Sequence, residues 1–401
     1  MTELSTQLLP LGFRYGATTA GLKASGRPDL AMIVADASAS AAAMFTANQV
    51  VAAPLVIDKQ HLTATGGKVR AVVVNAGNAN CANGEPGLEA ARSVCEAAAK
   101  LLNCSAEEIF PASTGIIGVL LPAEKIVAAL PTIKIGRHPD YFSALAQAIL
   151  TTDTIEKTAF ARFEQNGKMV HIAAACKGSG MIHPRLVPHA TMLVYILTDA
   201  DITPRVLNGY LQGAVNKSFN RISVDGDTST NDTVLLLASG ASGVTIDAGN
   251  ADFAQALEQV TISLARQIVG DGEGISHVIE LLIEGAASDE DALLVAKSIA
   301  HSPLVKTAWA GCDPNWGRLM AAVGYSNAKL RPEAIAIYFG ELEICRDGGR
   351  SPLFDMEKAH EYLQQDEYSI RIDLKVGTGS CRFWTTDLTV EYIHINADYS
   401  T

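Results

Sequence analysis

Aromatic residues are scarce in this chain, at 6% of 401 positions, and charged residues make up only 18%. With 48% hydrophobic residues, the core must be built from Ala, Val, Leu and Ile, a composition that suits helices packed on sheets. Positive charge is in deficit: 31 Lys and Arg face 43 Asp and Glu, a formal net charge of −12. That balance argues against nucleic acid and against an anionic membrane as general partners. Small anionic substrates stay open, because one Lys or Arg can hold a carboxylate whatever the global sign. No apolar run approaches the ~20 residues of a membrane-spanning helix, so no membrane partner is expected. The start, Met1-Thr-Glu-Leu-Ser-Thr-Gln-Leu-Leu-Pro10, lacks a basic segment followed by a long apolar one, so no secretory signal is expected either.

Several catalytic signatures are also missing. There is no C-x-x-C, and the seven cysteines (Cys81, Cys95, Cys104, Cys176, Cys312, Cys345, Cys381) are scattered and odd in number. They read as reduced, mostly buried thiols of a cytoplasmic protein. Without G-x-x-x-x-G-K-[ST], Lys177 is not part of a nucleotide P-loop. Absence of G-x-S-x-G argues against an ordinary α/β-hydrolase. His360-Glu361 is not followed by the second His of a zinc motif. Asp225, Asp227 and Asp232 lack the Gly and terminal Glu of a calcium loop, so no metal is expected.

What is present is a mixture of strand and helix patterns. Strand-like runs fall at 30–35, 69–75, 170–175, 192–198, 234–238, 278–283, 335–339, 370–376 and 383–393. Helical patterns cover 87–102, 141–150, 204–216, 251–269, 289–299 and 356–364, with Asp247-Ala-Gly-Asn250 as an N-cap region for the fourth and Ser288 as a cap for the fifth. The two kinds alternate without a strict βαβ rhythm. The expected fold class is therefore layered α/β (α+β) with mixed sheets. There is no repeat, low-complexity tract or long linker.

Six polar, Gly-containing clusters stand at the ends of apolar runs, where α/β enzymes place their sites. They are Asn75-Ala-Gly-Asn-Ala-Asn80, Pro111-Ala-Ser-Thr-Gly115, Thr151-Thr-Asp-Thr154, 223–233, Gly270-Asp-Gly-Glu-Gly274 and 306–318. Each alone is an ordinary turn; together they read as loops converging on a pocket. Thr114 and Gly115 have the makings of an oxyanion hole, one hydroxyl and one accessible backbone N–H. Lys177 reads as a carboxylate clamp or a solvated lysine. Glu273 reads as a receiver for an ammonium or a helix-end carboxylate. His183 and His189 flank the next feature and read as turn residues.

That feature is the segment from Cys176 to Asp199, in which a loop with Gly178, Gly180, Pro184 and Pro188 runs into a strand at Thr191. A Thr hydroxyl is a poor nucleophile unless a base sits beside it. Cutting the chain between Ala190 and Thr191 would supply one, because a free α-amino group has a pKa of about 7.7–8.0. The bland alternative is a turn before a β-branched strand residue.

Taken together, these clusters resemble the ornithine acetyltransferases, or glutamate N-acetyltransferases, of arginine biosynthesis. The likeness runs from Gly12-Phe13, Asp29-Leu30 and Phe45-Thr-Ala-Asn48 through Asn75–Asn80, Ser113–Gly118 and Thr151–Thr154. It continues with Lys177–Met181, Ala190–Leu193, Val224–Thr233, Asp271–Gly274 and Asp313–Arg318, and closes with Asn396–Thr401. The resemblance implies self-cleavage into an α piece, 1–190, and a β piece, 191–401, assembled as two copies of each. It implies an N-terminal-nucleophile-like sandwich of mixed sheets between helix layers. Thr191 matches the nucleophile, Thr114 and Gly115 the oxyanion hole, and Thr154, Lys177, Thr191, Glu273, Asn396 and Thr401 the substrate-binding positions. The implied reaction moves acetyl from N2-acetyl-L-ornithine to L-glutamate without a cofactor, with acetyl-CoA open as a second donor. The other readings are a self-processing amidohydrolase or aminopeptidase of the same fold, and an uncut amino-acid-binding protein. One departure is local: five residues, Arg185-Leu-Val-Pro-His189, separate Pro184 from the Ala190-Thr191 pair where the family usually has two.

Overall fold

The computed structural model describes residues 9–184 and 192–398. Ala190, Thr191 and Thr401, and the longer 185–189 stretch, lie outside the described residues. The chain opens with β1 (Phe13–Thr18), β2 (Leu30–Phe45), α1 (Ala53–Ala64), β3 (Lys68–Asn78) and α2 (Gly84–Leu102). Next come β4 (Ile109–Ile116), α3 (Ala123–Ala129), α4 (Pro139–Ala148), β5 (Lys157–Gln165) and β6 (Lys168–Lys177). Then follow β7 (Leu193–Thr198), α5 (Pro204–Lys217), β8 (Thr233–Ala238) and α6 (Ala251–Gly270). The last stretch holds β9 (Val278–Ala286), α7 (Asp289–Ala300), α8 (Pro303–Ala310) and α9 (Trp316–Gly324). It continues with β10 (Ala336–Phe339), β11 (Leu342–Arg346), β12 (Gly349–Arg350) and α10 (Met356–Leu363). It ends with β13 (Glu367–Asp373), β14 (Gly379–Thr386) and α11 (Val390–Asp398).

Two mixed sheets organise these elements, as the irregular order of strand and helix patterns led us to expect. The larger runs β4-β3-β2-β8-β7-β6-β5, with β1 paired to β2. Its β3–β4 and β7–β8 pairs are parallel and its other pairs antiparallel. The smaller runs β12-β11-β10-β13-β9-β14, parallel only at β13–β9. Both faces of the larger sheet are covered, which is why its central strands are continuous apolar runs. Along β2, Ala31, Ile33 and Ala35 join the core under α4, whereas Leu30, Met32 and Val34 face α2 and α3. α5 and α6 cover the sheet through Leu207, Leu211, Phe253 and Leu257, packed on Val194, Ile196 and Leu236. The smaller sheet packs on α7–α10 around Trp309 and Phe383.

The predicted caps form: the side chains of Asn250 and Ser288 accept from the N–H groups of Phe253 and Asp291. One predicted strand is corrected. The 383–393 run stops as a strand at Thr386, because its partner β9 begins at Val278, opposite Thr386, and offers no further ladder. Of the remaining apolar residues, Val390 and Ile393 lie exposed on α11 instead. The 306–318 cluster is corrected too: it forms most of α8 and the start of α9, the latter capped by the Asn315 side chain. All seven cysteines are free, and five are buried. No helix among the described residues is long and apolar enough to cross a membrane.

Asp58, on α1, is fully buried, and among the described residues neither carboxylate oxygen has a hydrogen-bond partner. Burial pushes its pKa well above the usual carboxylate range. The folded chain therefore holds a proton here that the unfolded chain releases near pH 4. The associated stability is full below that pH and declines as pH rises toward the folded pKa, by at most about 1.4 kcal/mol per pH unit. Asp58→Asn should flatten this decline, which urea midpoints measured between pH 5 and 8 will check.

Candidate active site

A cavity of about 140 Å³ opens where β3, β4 and β6 end and β7 and β8 begin. Five of the six sequence clusters reach it, through Ala79, Thr114 with Gly115, Thr151 with Thr152, Ser229–Asp232, and Glu273. The sixth does not. Lys306 is buried behind the wall, its ammonium bonded to the Thr386 carbonyl at 2.5 Å and to Thr386 Oγ1 at 3.1 Å. A loop of polar residues and Gly was a fair sequence signal for a site, but here the Asn315 side chain caps α9 and Arg318 donates to the Leu304 carbonyl on α8.

One wall is the end of β4. Gly115 has φ +131°, a conformation open to glycine, and a Cβ there would lie 2.4 Å from the Gly77 carbonyl carbon on β3. Glycine at both positions lets the strand ends meet. The peptide that joins Ser113 to Thr114 is fixed from two sides. Ser113 Oγ donates to Asn75 Oδ1 (2.6 Å), and Asn231 Nδ2 donates to the Ser113 carbonyl (2.8 Å) and to the Ala79 carbonyl (2.5 Å). A fixed carbonyl also fixes the N–H on the far side of its planar peptide. Thr114 and Gly115, at this end of β4, line the cavity and bring a hydroxyl and a glycine N–H to its edge.

The opposite wall is cationic and rests on a buried charge network. Lys157 donates to Asp153 Oδ1 at 2.7 Å and to Asp271 Oδ2 at 2.5 Å, all three side chains being essentially buried. Asp153 Oδ1 also accepts the Gly178 N–H at 2.6 Å, and Lys177 Nζ lies 3.8 Å from Oδ2. Burial alone would raise the Asp153 pKa, but the Lys177 and Lys157 charges and these hydrogen bonds hold it at about 2. Lys177 therefore presents its ammonium to the cavity over a carboxylate that is ionised across the working pH range. Thr154 sits one step back. Its N–H donates to Asp271 Oδ2 at 3.0 Å and its hydroxyl to Asp271 Oδ1, and it is not among the lining residues.

A third wall is acidic. Glu273 accepts from Asn396 Nδ2 at 3.0 Å, and its carboxylate lies against Gly180, where a Cβ would come within 2.5 Å of Glu273 Cδ. Any larger residue at 180 would displace the carboxylate. The cavity thus offers separated positive and negative poles beside an N–H and hydroxyl pair, which suits a zwitterionic amino-acid derivative undergoing carbonyl chemistry.

The segment around the Ala190-Thr191 pair approaches this cavity from both directions. Met181 and Ile182 line it on the upstream side and Met192 on the downstream side. The Met192 carbonyl accepts the Thr233 N–H at 2.7 Å, which ties the entry of β7 to the start of β8. Sequence reasoning had no hold on Lys157, a lone lysine in a strand, or on Asn231, one polar residue among eleven in its cluster. Asp153 and Asp271 lay inside recognised clusters, yet nothing local marked them as partners 118 positions apart.

Fold and site together define a layered α/β enzyme built to act on a small charged amide or ester. Comparison with known proteins narrows this. A model of the ArgJ family matches residues 14–401. A protein of Thermus thermophilus called arginine biosynthesis bifunctional protein ArgJ is 45% identical over 394 residues, 98% of this chain and 99% of that one. The like-named protein of Methylococcus capsulatus is 43% identical over 401 residues, 98% of this chain and 97% of that one. A crystal-structure chain of the like-named Bacillus halodurans protein is 42% identical with a TM-score of 0.49, over 51% of this chain and 98% of that one. The chain belongs to the ArgJ family.

Asp153 gives a direct test of the cationic wall. Its depressed pKa contributes stability that is full above its unfolded pKa and is lost as pH falls from about 4 toward 2. Asp153→Asn should lower stability near neutral pH by about 3–5 kcal/mol, because it leaves buried lysine charge uncompensated. It should also remove about 2 kcal/mol of the acid-dependent loss in that window. Denaturant unfolding at pH 7, 4 and 2 reads both effects.

Proposed function

We propose that this chain is a glutamate N-acetyltransferase of arginine biosynthesis that moves acetyl from N2-acetyl-L-ornithine to L-glutamate through an acetyl ester on Thr191. The observation that carries the reading is the meeting of both flanks of the Ala190-Thr191 pair at one cavity that also holds Thr114, Gly115, Lys177 and Glu273. In the proposed maturation, Thr191 Oγ attacks the Ala190 carbonyl, the amide becomes an ester by an N→O shift, and water releases the new amino terminus. The products are an α piece, 1–190, and a β piece, 191–401, two of each assembling in the cytoplasm. Because 190 and 191 flank elements of one packed sheet, the pieces stay together after the cut.

In catalysis the freed Thr191 amine takes the Oγ proton as Oγ attacks the acetyl carbonyl. The negative charge that develops on the carbonyl oxygen is met by the Thr114 hydroxyl and the Gly115 N–H, one such donor being worth about 3–4 kcal/mol. The C–N bond breaks, ornithine leaves with a proton, and acetyl remains on Oγ. Glutamate then enters with a neutral α-amine, attacks the ester and departs as N-acetylglutamate, which returns the proton to Oγ. Donor and acceptor share an amino-acid skeleton, so the Lys177 ammonium serves the carboxylate of both. Glu273, held by Asn396, orients the side-chain ammonium of ornithine. Thr154 supports this wall through Asp271, and the terminal Thr401 completes the substrate-binding set. No cofactor takes part. Acetyl-CoA is a second donor for the same ester within this proposal.

Two outcomes follow. The purified chain should run under denaturing conditions as two pieces, the second starting at Thr191, whereas Thr191→Ala should remain at 42.3 kDa and transfer no acetyl group. Initial rates should give parallel double-reciprocal lines for acetylornithine and glutamate, as a shared covalent intermediate demands. Intersecting lines would favour a ternary complex, and glutamate-independent release of ornithine at full rate would favour a hydrolase.

A further inference from the structure

α11 reaches the cavity without a core of its own. It is nine residues long and buries none of them, and a helix that short is marginal in water. Yet it carries Asn396, which lines the cavity beside Glu273. Its placement depends on contacts with its neighbours, and two consecutive residues, Glu273 and Gly274, meet it near both ends. At the start, Thr389 Oγ1 donates to the Gly274 carbonyl and accepts the Tyr392 N–H at 3.1 Å. One hydroxyl thus caps the helix and anchors it to the loop. Gly274 also lies against the helix backbone. A Cβ there would stand 2.6 Å from the Tyr392 nitrogen and 2.8 Å from the Glu391 carbonyl carbon. Its φ of +63° disfavours a side chain on conformational grounds as well.

About two turns further along, Asn396 Nδ2 makes two bonds. It donates to Glu273 Oε2 at 3.0 Å and to the Tyr392 carbonyl of its own helix at 3.1 Å. An amide NH2 has two hydrogens, so both are committed, and a shift of the helix carries the amide away from Glu273. On its other side the carboxylate meets Gly180, where a Cβ would come within 2.5 Å of both oxygens. Glu273 is thus held between Gly180 and Asn396. A carboxylate has about four acceptor sites, so the one taken by Asn396 leaves capacity for a cation in the cavity.

We infer that Gly274 and Thr389 are positioning residues that seat the C-terminal helix on the Glu273 loop, and that this seat, through Asn396, sets the preference of the site for an acyl donor with a cationic side chain over its uncharged isostere. This rests on the function proposed above, in which Glu273 orients the ornithine ammonium. With the helix seated, Asn396 fixes the direction in which the Glu273 carboxylate faces. With the helix displaced, that carboxylate turns freely and the ammonium loses a fixed partner. Lys177 and the acetyl-bearing end of the substrate lie on other walls and are untouched. The seat therefore acts on the side chain of the donor and not on its acyl group.

The test uses the full chain and two donors, N2-acetyl-L-ornithine and N2-acetyl-L-norvaline, which has the same carbon chain without the terminal amine. Initial rates of amino-acid release with glutamate as acceptor are expressed per cleaved chain, counted by intact mass. The unchanged chain should prefer acetylornithine in kcat/KM by about tenfold or more, as expected for a hydrogen bond between charged groups. Gly274→Ala drives a methyl group into the α11 backbone, and Thr389→Val removes the hydroxyl at nearly constant volume. Each should raise KM for acetylornithine about fivefold or more, with kcat within about threefold and KM for acetylnorvaline within about twofold. Thr389→Ser keeps the hydroxyl and should keep the preference. Where Gly274→Ala does not fold, Thr389→Val decides alone. Equal losses on both donors, or an undiminished preference in Thr389→Val, would overturn the inference. An unchanged chain that transfers acetyl without preferring acetylornithine, or transfers none, would instead overturn the proposed function on which it rests.

Discussion

The buried salt bridge between Lys157 and the two carboxylates of Asp153 and Asp271 is the constraint on which the site depends. Its three side chains come from the loop before β5, from β5 itself and from the end of α6. Such a network is costly to bury and is tolerated only when every member is satisfied. Here the remaining acceptor capacity goes to the N–H groups of Thr151, Thr154 and Gly178 and to the Thr154 hydroxyl. The network therefore does more than neutralise charge. It fixes the backbone just after Lys177 through the Gly178 N–H, and through the Ser179 hydroxyl, bonded to the Asp271 carbonyl at 2.8 Å, it sets the position of the Gly270–Gly274 loop. Both poles of the cavity, Lys177 and Glu273, are placed by one buried cluster.

The sheet supplies the rest of the geometry. Parallel pairing of β3 with β4 brings two strand ends to the same edge, and the Gly77–Gly115 approach lets the second of them turn into the cavity. Antiparallel pairing of β6 with β7 brings Lys177 opposite Leu193, so the chain leaves and re-enters the sheet at this edge. A segment that departs after Lys177 and returns at Met192 has both its ends at the cavity by topology alone. The proposed cut within it would leave the fold intact, because the β6–β7 ladder and the buried ion network join the two sides without the connecting peptide.

Much of this was legible in the sequence, for identifiable reasons. Long apolar runs such as β7 and β8, and amphipathic helices with a polar cap such as α6 and α7, declare themselves because both faces of the larger sheet must be apolar and helix ends need acceptors. β2 was read only over its first third. Its Asp36-Ala-Ser-Ala-Ser40 stretch looks like a loop, and the strand continues past a bulge between Val34 and Ala39, keeping β3 on one edge while β8 takes over from β1 on the other. The 306–318 stretch looked like a site because Asn, Asp, Gly and Trp crowd it, but capping uses the same residue types as catalysis. Lys177, Glu273, Thr114 and Gly115, which line the cavity, stood out through clustering beside glycine. Lys157 and Asn231 did not, because their contacts come from partners far along the chain that only folding brings near.

A covalent acetyl group on Thr191 is the claim that ties the fold, the cavity and the cut together. The measurement that tests it most directly is the mass of each piece after the purified protein is quenched in acid following incubation with N-acetylornithine and no glutamate. The account predicts one acetyl group on the piece that begins at Thr191, mapped to that residue and discharged when glutamate is added. An unmodified second piece, from protein that still transfers acetyl groups at full rate, would contradict it.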